Sequence, residues 1–258
     1  MMPIYYEMGT PVHAVNMLDF ADKTVLIVGG SSGIGNGIAH TFREAGAEVH
    51  VTGTRADAAA YDGVEGSELA GLQYRQLDAG DAAAVAAFTP GFAKLDVLIL
   101  AQGTVLYRRQ EFEPPHFERV VDVNLNSVMA CGARFHAMLK ASGGSVIVIS
   151  SISGYKGALG NPAYAASKAG AISLTRSLGV AWASDGIRVN GIAPGLVATK
   201  LTKVTTDSPQ RLEATLKRVP LGRIGQPVDM ANVALFLASP LAAYVTGHTI
   251  PVDGGLSA

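Results

Sequence analysis

Two periods of apolar and polar positions alternate along this chain. Thr24–Val28 is a short apolar, β-rich run that stops at Gly29-Gly30. Ile34, Ile38, Phe42 and Ala45 then recur at the spacing of one helix face, and Gly46 ends the pattern. The alternation continues with strands at Glu48–Thr52 and Leu72–Leu77, a short helix at Asp81–Phe88, and a strand at Leu95–Ala101. A long helix is predicted over Pro115–Leu139, a strand over Ser145–Ser150 and a second long helix over Ala163–Ala183. A strand at Ile187–Ile192, a helix at Val228–Leu237 and a last strand at Thr249–Val252 complete the series. Strands that are apolar throughout, alternating with helices, predict a parallel sheet covered on both faces. The expected fold is α/β: a single Rossmann-type, doubly wound domain, with a parallel sheet of about seven strands over residues 19–258.

Two stretches stand outside this rhythm. Residues 1–18 read as an N-terminal extension, and no Lys or Arg precedes Lys23, so the positive start of a secretory signal is missing. Leu196–Pro220 is polar and turn-rich, and residues 196–218 read as a substrate lid. No repeat, linker or low-complexity tract divides the chain.

Composition narrows the function classes. Apolar residues make up 48% of the chain and charged ones 16%, and the net charge is −1. Such a balance offers no basic field for nucleic acid and no polybasic membrane patch. No apolar run reaches the roughly 18 residues of a membrane span. Cys131 is the only cysteine, which excludes an internal disulfide and fits a cytoplasmic protein. In its apolar helix it reads as core. The six histidines form no metal-binding spacing, so no metal site is expected.

The chemistry starts at Gly29-x-x-x-Gly33-x-Gly35, set between a strand and a helix. Gly29 allows a sharp exit from the strand, Gly33 a close approach to phosphates, and Gly35 tight packing of helix on strand. Ser31, Ser32 and Ile34 share this loop, and the helix N-terminus offers amides to an anion. At the end of the second strand an acid would select NAD and a cation NADP. This chain has Thr54 and Arg55 there, which favours NADP(H) and leaves NAD(H) possible. The alternative is that Arg55 is a solvated loop charge neutralised by Asp57.

Tyr164 and Lys168 lie four positions apart on a predicted helix and so share a face. A free phenol titrates near pH 10, and bringing it to about 7 takes roughly 4 kcal/mol. A neighbouring ammonium and an oxidised nicotinamide could supply that. Ser151, at the C-terminal tip of the fifth strand, can donate to a substrate oxygen, whereas Ser150 is expected to face the other way. Asn124 is a poor helix former inside a predicted helix.

Together these residues resemble the short-chain dehydrogenase/reductase family, in its single-domain branch, from about Phe20 to Gly255. The family's Thr-Gly-x-x-x-Gly-x-Gly is matched except that Val28 replaces Thr. The resemblance implies a catalytic tetrad of Asn124, Ser151, Tyr164 and Lys168. Tyr164 would exchange a proton with the substrate, Lys168 would lower the phenol and bind the nicotinamide ribose, and Asn124 would support a water leading to solvent. The resemblance also implies cofactor contacts from Asp78, Ala79, Ala101, Gly103, Pro194, Gly195, Val197 and Thr199. Thr246-Gly247 and Val252-Asp253-Gly254-Gly255 match the family's C-terminal signature. Two features depart from the pattern. Leu100-Ala101-Gln102-Gly103 replaces Asn-Asn-Ala-Gly, removing a side-chain brace, and the helix after the third strand is short.

Much of the chain resembles the 3-oxoacyl-(acyl carrier protein) reductase subgroup, whose members grip an acidic carrier with basic residues near the active-site rim. Gly143 and Asp185 stand at those positions, which points instead to a free, small, largely apolar ketone or secondary alcohol. Its expected contacts are Ser151, Ser153, Tyr155, Leu159, Tyr164 and Leu196. A carrier-protein reductase, a cofactor-sensing regulator without turnover, an epimerase or lyase, and a structural subunit are the alternatives. Family members commonly form homotetramers through the two long helices and the last strand, and the same is expected here.

Overall fold

The computed structural model describes residues 17–258. The expected extension, 1–18, lies outside the described residues apart from Met17 and Leu18. Strand β1 (Thr24–Val28) pairs with β2 (Glu48–Gly53) on one side and β4 (Val97–Leu100) on the other. Beyond β2 lies β3 (Gln73–Gln76), and β5 (Ser145–Ile149), β6 (Arg188–Pro194) and β7 (Thr249–Val252) follow outward from β4. The order is β3-β2-β1-β4-β5-β6-β7, and every pairing is parallel. The direction of winding reverses between β1 and β4, and ligands of open parallel sheets bind at the carboxyl ends of the strands there.

The apolar strands divide their side chains between two cores, as a period of two requires. Val25 and Ile27, Val97 and Ile99, Ile147 and Ile149 face one core. Helices α1 (Gly33–Glu44) and α8 (Pro227–Ala238) cover it with Ile38, Phe42, Met230 and Leu237. Leu26 and Val28, Leu98 and Leu100, Val146 and Val148 face the other. Helices α4 (Ser127–Ser142) and α5 (Pro162–Ala181) close it with Cys131, Phe135, Leu139 and Leu178. Burial pushes the Cys131 thiol up to about 12, so it is an inert core group.

Two stretches, the long helix before Leu139 and the lid, differ from the sequence reading, and the β2–β3 connection adds a third irregular segment. The helix expected over Pro115–Leu139 is broken: α3 (Pro114–Val121) runs into a π turn at Asp122–Asn126 before α4 begins. Asn124 lies in that turn and satisfies its amide outside the helix, on Thr104. The connection between β2 and β3 holds only a 3₁₀ turn, Ala59–Tyr61; left-handed glycines at 63, 66 and 71 redirect it. Gly66 thereby places its carbonyl 2.8 Å from the Gly33 N–H. The lid segment contains a 3₁₀ turn (Lys200–Thr202) and two helices, α6 (Lys203–Thr206) and α7 (Pro209–Leu216). Pro209 opens α7 rather than ending a loop, because the first helical position needs no N–H. The remaining helix, α2 (Ala82–Ala87), is as short as expected, and Asp81 Oδ1 caps it by accepting the Ala83 and Ala84 amides.

Phe42 has no exposed surface and packs edge-on against Phe20, with ring centroids 4.9 Å apart. Phe42→Ala should destabilise the protein by about 3–5 kcal/mol. The check is a lower urea midpoint at unchanged slope.

Candidate active site

A cavity of about 420 Å³ opens at the carboxyl ends of β1 and β4. Its floor depends on close backbone approach. A Cβ on Gly29 would lie 2.7 Å from Gln102 Cα, and one on Gly35 would lie 2.4 Å from the Gly29 carbonyl oxygen. Side chains at these positions would fill the cradle that brings the helix start to the strand tips. Gly33 gives its N–H to Gly66, and Ile34 and Gly35, next along the helix start, also line the cavity. Every residue assigned to the cofactor from sequence lines this cavity except Arg55: Gly29, Ser31, Ser32, Gly33, Ile34, Gly35, Thr54, Asp78, Ala79, Ala101, Gly103, Tyr164, Lys168, Pro194, Gly195, Val197 and Thr199.

Ser151, Tyr164 and Lys168 meet on one wall. Ser151 follows the tip of β5, and α5 lays Tyr164 and Lys168 beside it. Lys168 is 4% exposed; its Nζ donates to the Ile149 carbonyl at 2.8 Å and lies 5.8 Å from the centre of the Tyr164 ring. Burial pulls the ammonium down to about 8. Burial also pushes the Tyr164 phenol above its usual value; the Ser151 hydroxyl opposes this, while Tyr107 and the Glu111 charge add to it. Lys168 is not among the groups that shift the phenol in this arrangement. Ser150 Oγ bonds the Lys168 carbonyl at 2.9 Å, tying α5 to the end of β5, and Ser150 also lines the cavity.

Asn124 is 1% exposed and lies behind the cavity wall. Its Nδ2 donates to the Thr104 carbonyl (2.9 Å) and to Ser167 Oγ (3.1 Å), and its Oδ1 accepts the Thr104 N–H (2.7 Å). The side chain is thus a clamp between the β4 exit and α5, with both amide hydrogens committed to protein. Gln102, in the departure from the family pattern, takes up bracing: Nε2 donates to Ser127 Oγ at 2.8 Å. Its Oε1 has no partner among the described residues. Glu111, with no exposed surface, accepts the Tyr164 N–H at 2.9 Å. No local motif marks Gln102 or Glu111; their partners lie 25 and 53 positions away.

The adenosine end differs from expectation in one respect. Arg55 folds back onto its own turn: Nη1 donates to the Ala60 carbonyl, and the guanidinium sits 4.8 Å from the centre of the Tyr61 ring. Asp57 does not pair with it but accepts the Ala60 N–H. Lys200, absent from the sequence reading, lines the cavity from the lid and donates to Ser67 Oγ at 3.2 Å. Burial and the nearby Arg55 charge lower its ammonium.

Four expected substrate contacts lie outside the cavity lining. Tyr155 is half-exposed and donates to the Thr249 carbonyl on β7; Leu159 is 93% exposed. Ser153 binds Ser151 Oγ through its own N–H, and Leu196 gives its carbonyl to Gly225. Only Ser151 and Tyr164 of that set face the cavity. Gly143 and Asp185 precede the amino ends of β5 and β6, at the opposite end of the sheet. Asp185 pairs there with Lys140 (2.7 Å) and His136 (3.0 Å). Within one protomer these two positions therefore say nothing about the substrate.

A family model described as enoyl-(acyl carrier protein) reductase matches residues 28–257. The 3-oxoacyl-[acyl-carrier-protein] reductase of Chlamydia trachomatis is 38% identical, over 92% of this chain and 98% of that protein. The 2-dehydro-3-deoxy-D-gluconate 5-dehydrogenase of Bacillus subtilis is 37% identical, over 90% and 94%. A crystal structure of a gluconate 5-dehydrogenase from Burkholderia cenocepacia, in complex with NADP and tartrate, superposes with a TM-score of 0.85 at 30% identity, covering 95% and 99% of the two chains. With the glycine cradle, the parallel sheet and the Ser151–Tyr164–Lys168 wall, these matches establish that the chain belongs to the short-chain dehydrogenase/reductase family, as an oxidoreductase that interconverts a ketone and an alcohol with a nicotinamide cofactor.

Proposed function

We propose that Tyr164 is the proton carrier of this reaction, with Ser151 orienting the substrate oxygen and Lys168 charging the wall between them. The convergence of these three groups on one cavity wall carries the reading. A nicotinamide cofactor bound in the glycine cradle would supply the hydride chemistry at the carbon. Tyr164, kept protonated by burial, delivers a proton to the oxygen of a ketone. Ser151 donates to the same oxygen as its charge develops. Lys168, anchored on Ile149, faces the region where the nicotinamide ribose would lie, and Asn124 keeps the Thr104 turn clear of it.

NADP(H) is favoured over NAD(H). No carboxylate stands at the end of β2, where the chain reads Gly53-Thr54-Arg55, and Thr54 faces the cavity. Arg55 and Lys200 lie close enough to repel, while Glu65, an acid of the connection that faces Lys200, is engaged by Lys203 at 2.6 Å. A ribose 2′-phosphate would relieve that repulsion and draw in both cations. The substrate is a small free ketone or secondary alcohol, a reading supported by the dehydrogenases named for free sugar acids among the relatives. A carrier-linked 3-oxoacyl substrate is the second reading, favoured by the names of several relatives. Met129 on α4 and Val180 on α5 are exposed apolar residues that support assembly as a homotetramer through these helices. No helix among the described residues is long and apolar enough to cross a membrane, and a cytoplasmic location is proposed.

Tyr164→Phe should lower kcat by at least about 10²-fold with cofactor affinity retained, read by stopped-assay turnover and fluorescence titration. Unchanged turnover would exclude Tyr164. Ketone reduction should hold through neutral pH and fall above about 8, where Lys168 loses its proton and then the phenol begins to lose its own. Arg55→Ala and Lys200→Ala should each raise KM for NADPH about tenfold, equivalent to about 1.4 kcal/mol, and leave NADH nearly unaffected. A panel of free ketones against an acyl-carrier thioester, followed at the nicotinamide absorbance with both cofactors, separates the two substrate readings.

A further inference from the structure

Glu111 is a carboxylate with no exposed surface, next to the active site and unused by the mechanism above. It belongs to the 3₁₀ turn Gln110–Phe112, which precedes α3. Its Oε2 accepts the Tyr164 N–H at 2.9 Å. Its Oε1 accepts the Leu106 N–H at 3.0 Å, with the Asn161 side-chain amide at the margin, 3.5 Å away. All three partners are N–H donors. A carboxylate can accept from each; a carboxamide would turn its own NH₂ toward a donor.

The first of these bonds has a structural logic. The Tyr164 N–H belongs to the first turn of α5, where backbone amides have no partner within the helix. Asn161, the residue at the N-cap, makes no side-chain cap and instead donates to the Leu106 carbonyl at 2.8 Å. The cap of α5 is thus supplied by a distant acid, and negative charge at a helix N-terminus is favourable. The second bond acts on the facing loop. Arg108 and Arg109 are both left-handed, with φ of 57° and 63°. Non-glycine residues keep that conformation where the surroundings over-determine it. Glu111 holds the loop at Leu106, and Tyr107 holds it from the lid side through a hydroxyl bond to the Leu201 carbonyl.

We propose that Glu111 is a positioning residue of this active site: its carboxylate locks the first turn of α5, and with it Tyr164, to the loop 104–109 that reaches the lid. The proposal rests on the reading of Tyr164 as the proton carrier. It has an electrostatic corollary. The groups facing the phenol are Ser151 after β5, Tyr107 and Glu111 from the loop, and Lys168 on its own helix. Of these, the Glu111 carboxylate opposes ionisation of the phenol. The brace therefore also keeps Tyr164 in its proton-donating form.

Two variants separate position from charge. Glu111→Asp keeps the charge and shortens the arm; Glu111→Gln keeps the length and removes the charge. Both should lower kcat by between about tenfold and 10²-fold, the scale of a misplaced reacting group, with the NADPH dissociation constant within about twofold of the parent. The pH profile of alcohol oxidation, which needs the ionised phenol, should move to lower pH in Glu111→Gln and stay in place in Glu111→Asp. Parental kcat with an unmoved profile in Glu111→Gln overturns the proposal. So does a loss of kcat that tracks lost NADPH binding and lost thermal stability, since that marks a role in folding alone. Should Glu111→Gln fail to fold, Glu111→Asp decides: lower kcat at intact NADPH affinity supports the proposal, and parental kcat overturns it. Full turnover in Tyr164→Phe would instead remove the Tyr164 reading, and the proposal with it.

Discussion

A buried ammonium bonded to a strand carbonyl organises this active site. Lys168 Nζ donates to Ile149, and Ser150 Oγ returns a bond to the Lys168 carbonyl, so α5 is stitched to the tip of β5 from both directions. An ammonium taken out of water is costly unless it is paired, and its lowered affinity for a proton records that cost. The stitch sets the rotation of α5 about its own axis. That rotation decides whether Tyr164, one helical turn earlier, faces Ser151 across the cavity or points into packing.

The remaining polar groups around the cavity hold the same two elements from further out. Asn124 pairs with both backbone groups of Thr104 and reaches Ser167 on α5. Gln102 bonds Ser127 at the start of α4. Glu111 ties Tyr164 to Leu106. Each of these side chains is buried, so each bond is made where an unpaired group would be costly. The site is therefore rigid on the sheet side. Its outer rim is polar and partly exposed: the lid touches the β2–β3 connection through Lys203–Glu65 and Lys200–Ser67, with both lysines well exposed. Contacts of that kind contribute little individually and can exchange for phosphate oxygens.

The regular part of the fold was legible because it depends on local periodicity. The strand runs and the Ile38–Phe42 helix face needed no knowledge of their partners. The site residues on strand ends and on the Tyr164–Lys168 helix were legible for the same reason, since ligands gather at the carboxyl end of a parallel sheet. Misreadings cluster where a distant partner overrides local preference. The long helix before Leu139 carries a π turn because the Asn124 amide bonds Thr104, 20 positions back. Tyr155 reaches Thr249 on β7, 94 positions on, whereas Arg55 turns onto Tyr61 within its own connection. Gly143 and Asp185 lie just before the amino ends of β5 and β6, opposite the cavity, a placement that the predicted strand ranges already implied.

By itself, the sequence determined the class of the molecule: a two-sided parallel sheet, a glycine-built phosphate cradle, and a phenol four residues from an ammonium. These rest on spacing, which is a property of the chain alone. Only the tertiary structure decided which groups share a wall, that a lysine of the lid stands near Arg55, and that a buried carboxylate holds the proton carrier. Such pairings join residues dozens of positions apart, and their strength comes from exclusion of water, which exists only once the elements have packed.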